Sequence, residues 1–114
     1  MGLIKQATGN RQEALSHFQR SLRIQEEKLG NQIEIAQLQI LIAYLLEETA
    51  DYTQALGYLN QALTYKQQQE DILGIMDIEL EVANIYLKQG KNRAAVFLLR
   101  SIEKRERNVN SIRI

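Results

Sequence analysis

The sequence predicts an all-α fold of antiparallel helices laid side by side, and three observations carry that prediction. The chain of 114 residues has no proline and six glycines, and it is dominated by Leu, Ile, Gln, Ala, Glu and Arg, which favour helix or tolerate it. Asn10, Asn31, Asp51 and Asp71 each stand just before a helical pattern, with Asn92 as a weaker fifth, at intervals of 21, 20, 20 and 21 residues. An Asn or Asp there caps a helix, because its side-chain oxygen accepts from an otherwise unpaired amide of the first turn. In the run Leu38 to Leu46 only Gln39 is polar. A helix hydrophobic on every side must be covered all round. The run is far short of the roughly 20 apolar residues of a membrane span, so it is expected to form the central helix of a stack.

The elements follow in order from the caps. Small residues precede several of them, as in Gly9-Asn10, Gly30-Asn31 and Ala50-Asp51, where the preceding helix can end. The expected helices are a stub from Gly2 to Thr8, then Asn10 to Leu29, Asn31 to Thr49, Asp51 to Gln69, Asp71 to Gln89 and Asn92 to Arg107. Turns of two or three residues leave consecutive helices no choice but to run antiparallel.

The chain is also similar to itself at twice that interval. Asn10 to Leu22 aligns with Asp51 to Leu63: a cap, three residues, Ala-Leu, two residues, a large apolar residue, two residues, a small residue, Leu. Lys91 to Ile102 repeats the pattern one residue out of register. Ala14, Ala55 and Ala94 or Ala95 are the points of close helix approach, and Phe18, Leu59 and Leu98 or Leu99 follow one turn later. Further matches are Ile42-Ala43, Leu46, Ala50, Asp51-Tyr52, Ala55, Leu59 and Ala62, then Val82-Ala83, Tyr86, Gly90 and Ala95.

On these residues the chain resembles the tetratricopeptide repeat, in the longer variety of roughly 40 to 42 residues seen in kinesin light chain and many bacterial scaffolds, where the usual period is about 34. Leu46 stands where the family has Tyr, Ala50 where it has Gly, and the closing proline is missing. The resemblance implies antiparallel helix pairs stacked as a right-handed α-solenoid of about two and a half repeats. It divides a single domain, 1–114, into a partial repeat 1–30, repeats 31–70 and 71–107, and a tail 108–114. The first helix of each pair would then face a concave groove. This assigns Gln37, Ile40, Tyr44 and Glu48, and Asp77, Leu80, Glu81, Asn84 and Lys88, as groove stripes at helical spacing, with Leu3, Gln6 and Ala7 from the stub. Leu38, Leu41, Ile42 and Leu45 would share the packing faces.

Each candidate has a plainer reading beside the functional one. Tyr44 reads first as a packing residue that keeps its hydroxyl near water. Asn84 is a mid-helix asparagine that propensity disfavours, and in the family groove asparagines pair with the backbone of an extended peptide. His17 reads as a surface side chain, and no metal site can be built around it. Glu79 lies on an otherwise apolar stripe, where a lone carboxylate would be costly, so it requires a partner or partial exposure.

Fourteen basic and fourteen acidic residues cancel, which argues against nucleic acid as a ligand. The absence of cysteine excludes disulfides and thiol chemistry, and with no N-terminal secretory pattern a cytoplasmic setting is expected. One histidine, no phosphate loop and no nucleophile-base pair argue against an enzyme, and no cofactor is expected. The expected function is a protein-interaction scaffold holding a peptide of some basic character, since Glu48, Asp77 and Glu81 are offset only by Lys88. The family's carboxylate clamp of Lys, Arg and Asn is missing from these stripes. The alternative is self-assembly. With a truncated first helix, the stripe Ala14, Leu15, Phe18 and Leu22 should be partly uncovered, so either more repeats precede it or Leu15, Phe18 and Leu22 meet a second copy in a homodimer.

Overall fold

The computed structural model describes the backbone of residues 2–28 and 30–113 and the side chains of residues 9–28 and 30–108. The described residues form five α-helices: α1 (Gly2–Glu27), α2 (Gln32–Glu48), α3 (Tyr52–Gln68), α4 (Ile72–Lys88) and α5 (Asn92–Arg113). The fold is all-α, as the caps and composition predict.

One turn, used three times, sets the 20-residue spacing. Ala50, Glu70 and Gly90 adopt left-handed φ angles of 63°, 53° and 78°. Such a residue just past a helix end lets the chain fold back on the last carbonyls. Around Ala50, the amides of Ala50 and Asp51 donate to the carbonyls of Glu47 and Leu46 at 3.0 and 2.9 Å. The same pair recurs from Glu70 and Asp71 to Gln67 and Lys66, and from Gly90 and Lys91 to Leu87 and Tyr86.

Asp51 and Asp71 therefore do two jobs, closing one helix with the backbone N–H and opening the next with the carboxylate. Asp71 Oδ1 accepts from the Gly74 amide at 3.0 Å, and Lys66 Nζ lies 3.4 Å from its other oxygen. The Gly74 amide is the main cause holding the Asp71 carboxyl below its ordinary range; burial opposes it slightly and Lys66 adds to it. A Cβ at Gly74 would lie 2.5 Å from the Asp71 carboxylate, so a larger residue there requires the capping side chain to shift.

Three expected boundaries are corrected. The break at Gly9-Asn10 does not occur, and the stub and the following helix are one continuous α1. Gly9 is not among the residues of positive φ, and no chain reversal is closed there. An Asn inside a helix costs only about 0.7 kcal/mol, too little to end one by itself. Asn31, by contrast, caps α2 as expected, its Oδ1 accepting from the Ile33 amide at 2.8 Å. Leu29 lies outside the described residues. The second correction is at Asn92, which is the first residue of α5 and not its cap; Lys91 holds the cap position, its carbonyl accepting from Ala95 at 3.1 Å. That removes the one-residue slip of the third repeat. Ala95 aligns with Ala55 and both have no exposed surface, whereas Ala94 is exposed. α5 also continues to Arg113, past the expected end at Arg107.

The chain divides into two compact units, Met1–Tyr65 and Lys66–Ile114, with the boundary near the end of α3. In the first unit, Arg11 Nε meets Glu48 Oε2 at 3.0 Å, and these residues lie almost equally far along the chain from Gly30. Gln39 Nε2 donates to Gln61 Oε1 at 2.9 Å, and these are equidistant from Ala50. Contacts symmetric about a turn are the signature of antiparallel neighbours, so α1 runs against α2 and α2 against α3. In the second unit Arg105 donates to Glu79 Oε1 across the turn at Gly90, pairing α4 with α5. This is the partner that the position of Glu79 requires.

The buried apolar side chains are Leu22 of α1, Ile35, Ala36, Ile42, Ala43 and Leu46 of α2, and Ala55, Leu59 and Ala62 of α3. Those of the second unit are Met76, Ile78, Val82, Ala83 and Ile85 of α4 with Ala95 and Ile102 of α5. The central run is not covered all round. Leu41, expected to pack, is 43% exposed, and Tyr44 one turn later is 44% exposed, while Gln39 is buried. A single polar residue met by a polar partner is cheaper to bury than an apolar count suggests, so hydropathy alone misplaces the faces of α2.

Candidate functional site

The open side of α2 is a stripe. Gln37, Tyr44 and Glu48 are exposed and Ile40 half-buried, at positions i, i+3, i+7 and i+11, which fall on one helical face. Leu41 extends it. The opposite face holds Ile35, Ala36, Gln39, Ile42, Ala43 and Leu46, all buried. Spacing from Gln37 and Tyr44 was a sufficient signal to include Leu41, and its aliphatic character hid it.

The stripe on α4 is built alike. Asp77, Asn84 and Lys88 are exposed, Glu81 is half-buried, and Leu80 between them is exposed, with Met76, Ile78, Val82, Ala83 and Ile85 on the buried side. Asn84 thus points away from the core, so packing gives no reason for a mid-helix asparagine. Exposed Leu73 and Leu87 extend the same line at seven-residue intervals from Leu80. A shift of 40 residues superposes the two stripes in sequence: Ile33 on Leu73, Gln37 on Asp77, Ile40 on Leu80, Tyr44 on Asn84, Glu48 on Lys88.

The electrostatics differ from the expectation at one point. Glu48 is paired with Arg11, so α1 already answers the charge that α2 was to offer a ligand. Both side chains are about half exposed, and such a pair contributes roughly 0 to 1 kcal/mol. Of the other acidic members of the stripes, Asp77 is exposed and Glu81 is half-buried. Leu3, Gln6 and Ala7 lie outside the described side chains.

At the proposed self-association edge, Leu15 and Phe18 are half-buried and Leu22 is only 4% exposed. Leu22 belongs to the interior of the first unit and cannot contribute to a surface patch. His17 is exposed, and among the described residues no three His, Cys, Asp or Glu side chains are grouped to hold a metal ion. No described helix is long and apolar enough to cross a membrane. A surface the sequence reading missed lies on α5, where Asn92, Arg93, Val96, Phe97 and Arg100 line a shallow concavity of about 420 Å³.

Comparison with curated proteins finds no match. Residues 1–68, from the start of the chain to the end of α3, match the family profile described as tetratricopeptide repeat. The helix pairs, the buried small residues at repeated positions and this match over more than half of its length agree: the chain belongs to the tetratricopeptide repeat family, a non-catalytic helical scaffold that generally serves protein–protein interaction.

Proposed function

We propose that the chain is an adaptor that binds peptide segments on its exposed stripes, through Gln37, Ile40, Tyr44 and Glu48 on α2 of the first unit and, taken by itself, through Asp77, Glu81, Asn84 and Lys88 on α4 of the second. The observation that carries this reading is that the two helices, 40 residues apart, share buried positions at Ala36 and Met76, Ile42 and Val82, and Ala43 and Ala83, and share open ones at Ile33 and Leu73, Gln37 and Asp77, Tyr44 and Asn84, and Glu48 and Lys88. A helix face that only had to meet water would not need Ile33, Leu41 and Tyr44 on α2, nor Leu73, Leu80 and Leu87 on α4. Apolar side chains interleaved with Gln37, Asp77 and Asn84 provide a floor for side chains and donors and acceptors for a peptide backbone. The exposed Asp77 favours a ligand of some basic character. The turns at 20-residue spacing support the longer variety of the repeat.

Selection of a displayed peptide library on the chain, followed by calorimetric titration of a selected peptide, tests the reading. Tyr44→Ala should weaken a peptide held on the α2 stripe, and Asn84→Ala one held on the α4 stripe, about tenfold, the effect of removing one central contact. Undiminished affinity in both variants would refute the assignment of the stripes.

A further inference from the structure

α5 carries a surface that the repeat does not require. Shifted by 40 residues, α3 and α5 share two buried positions: Ala55 and Ala95 are fully buried, and Ala62 and Ile102 are buried seven residues further on. They disagree on the open side. Where α3 has Thr53, Gly57 and Asn60, small or neutral and exposed, α5 has Arg93, Phe97 and Arg100. Packing of the repeat therefore does not impose these bulky and charged side chains.

Phe97 is 75% exposed, the most exposed large hydrophobic residue described, and Val96 beside it is also exposed. Arg93, Phe97, Arg100 and Lys104 follow at i, i+4, i+7 and i+11 on one face, and all are exposed. The first carboxylate along α5, Glu103, faces Arg107 at 3.7 Å and does not answer this row. A phenylalanine left in water forgoes a large burial gain. Guanidinium groups beside it can pair with carboxylates in bidentate fashion while their planes stack on the ring.

We infer that this face of α5 docks an acidic protein segment, which places carboxylates on Arg93, Arg100 and Lys104 and an apolar side chain against Phe97 and Val96. Charge complementarity selects the occupant: three cations in a row along α5, in a chain whose net charge is zero. A nucleic acid would call for a broader basic field and more than one stacking ring. The surface lies on α5, whereas the stripe that carries Asp77 and Asn84 lies on α4.

The test is fluorescence anisotropy of a fluorescein-labelled peptide, three tandem copies of Glu-Glu-Leu-Phe, titrated with the intact chain at about 50 mM and about 300 mM salt. Saturable binding is expected, weaker at the higher salt, reduced at least tenfold by the double substitution Arg93→Glu with Arg100→Glu, and about tenfold by Phe97→Ser. Asn84→Ala should leave it unchanged, which separates this surface from the stripes. All of these positions are exposed, and circular dichroism confirms that the variants keep their helices. The inference is overturned by the absence of saturable binding, by equal binding of the matching Lys-Lys-Leu-Phe peptide, or by indifference to the charge reversal. Tighter binding of labelled oligouridylate would overturn it in favour of nucleic acid. A dimer in light scattering that Phe97→Ser dissociates would overturn it in favour of a second copy.

Discussion

Ala50, Glu70 and Gly90 hold the same left-handed place in three successive turns, yet only one is glycine, and this makes a controlled experiment. An L-residue in that conformation costs roughly 1 to 2 kcal/mol through the clash of Cβ with the following carbonyl. Glycine escapes the clash but loses more backbone freedom on folding, about 0.5 to 1 kcal/mol. Ala50→Gly should therefore stabilise the chain by about 0.5 to 1 kcal/mol. Gly90→Ala should destabilise it by a similar amount, and the cause can only be the backbone, because a Cβ at Gly90 meets nothing within 4 Å. Glu70→Gly gains less, since it also removes a negative charge next to the N-terminus of α4, worth about 0.3 to 1 kcal/mol there. Thermal unfolding followed by circular dichroism reads the series, with about 4 °C expected per kcal/mol for a chain of this size. The double variant Ala50→Gly with Gly90→Ala should return close to the parent. A lower melting temperature for Ala50→Gly, or a higher one for Gly90→Ala, would refute the account of the turns.

Asp71→Ala should cost about 1 kcal/mol by removing the α4 cap, whereas Asp71→Asn keeps an acceptor and should cost little. Because the folded-state pKa of Asp71 is lowered, its charge-dependent stabilisation is present above the unfolded value near 3.9 and is lost as pH falls through the folded value. Urea titrations should thus show the parent losing stability more steeply than Asp71→Asn below about pH 4. The register of α5 is checked by a pair of substitutions: Ala95→Leu forces a larger side chain into a site with no exposed surface and should cost about 1 to 3 kcal/mol. Ala94→Leu, on the exposed side, should stay within about 0.5 kcal/mol of the parent. Equal effects of the two would mean that Lys91 is not the cap position.

The sequence made the turns legible wherever a side chain announced them. Asn31, Asp51 and Asp71 cap by their own oxygens, so their chemistry is local and survives without knowledge of the fold. Lys91 caps α5 with its backbone carbonyl alone, which no residue type reveals, and the neighbouring Asn92 drew the assignment one place too far. Gly9-Asn10 failed for the opposite reason: both residues are permitted at a helix end, and both are also tolerated inside a helix. The need of Glu79 for a partner followed from the cost of burying a carboxylate, but Arg105 could be chosen from the basic C-terminal segment only once the α4–α5 pairing was in hand.

The candidate site was half legible, and the missing half has one physical cause. Helical spacing finds a face, while hydropathy finds the residues that would gain by burial, and neither says which apolar face the fold leaves open. Leu41 and Phe97 were lost in that gap. The 40-residue shift closes it. Positions that keep their character across the shift, such as Ala55 and Ala95 or Ala43 and Ala83, answer to packing, because both copies must satisfy the same neighbours. Positions that change character while staying exposed, such as Tyr44 against Asn84 or Gly57 against Phe97, are released from that demand. What distinguishes the copies there must answer to something outside the repeat, which is why binding is sought at those residues.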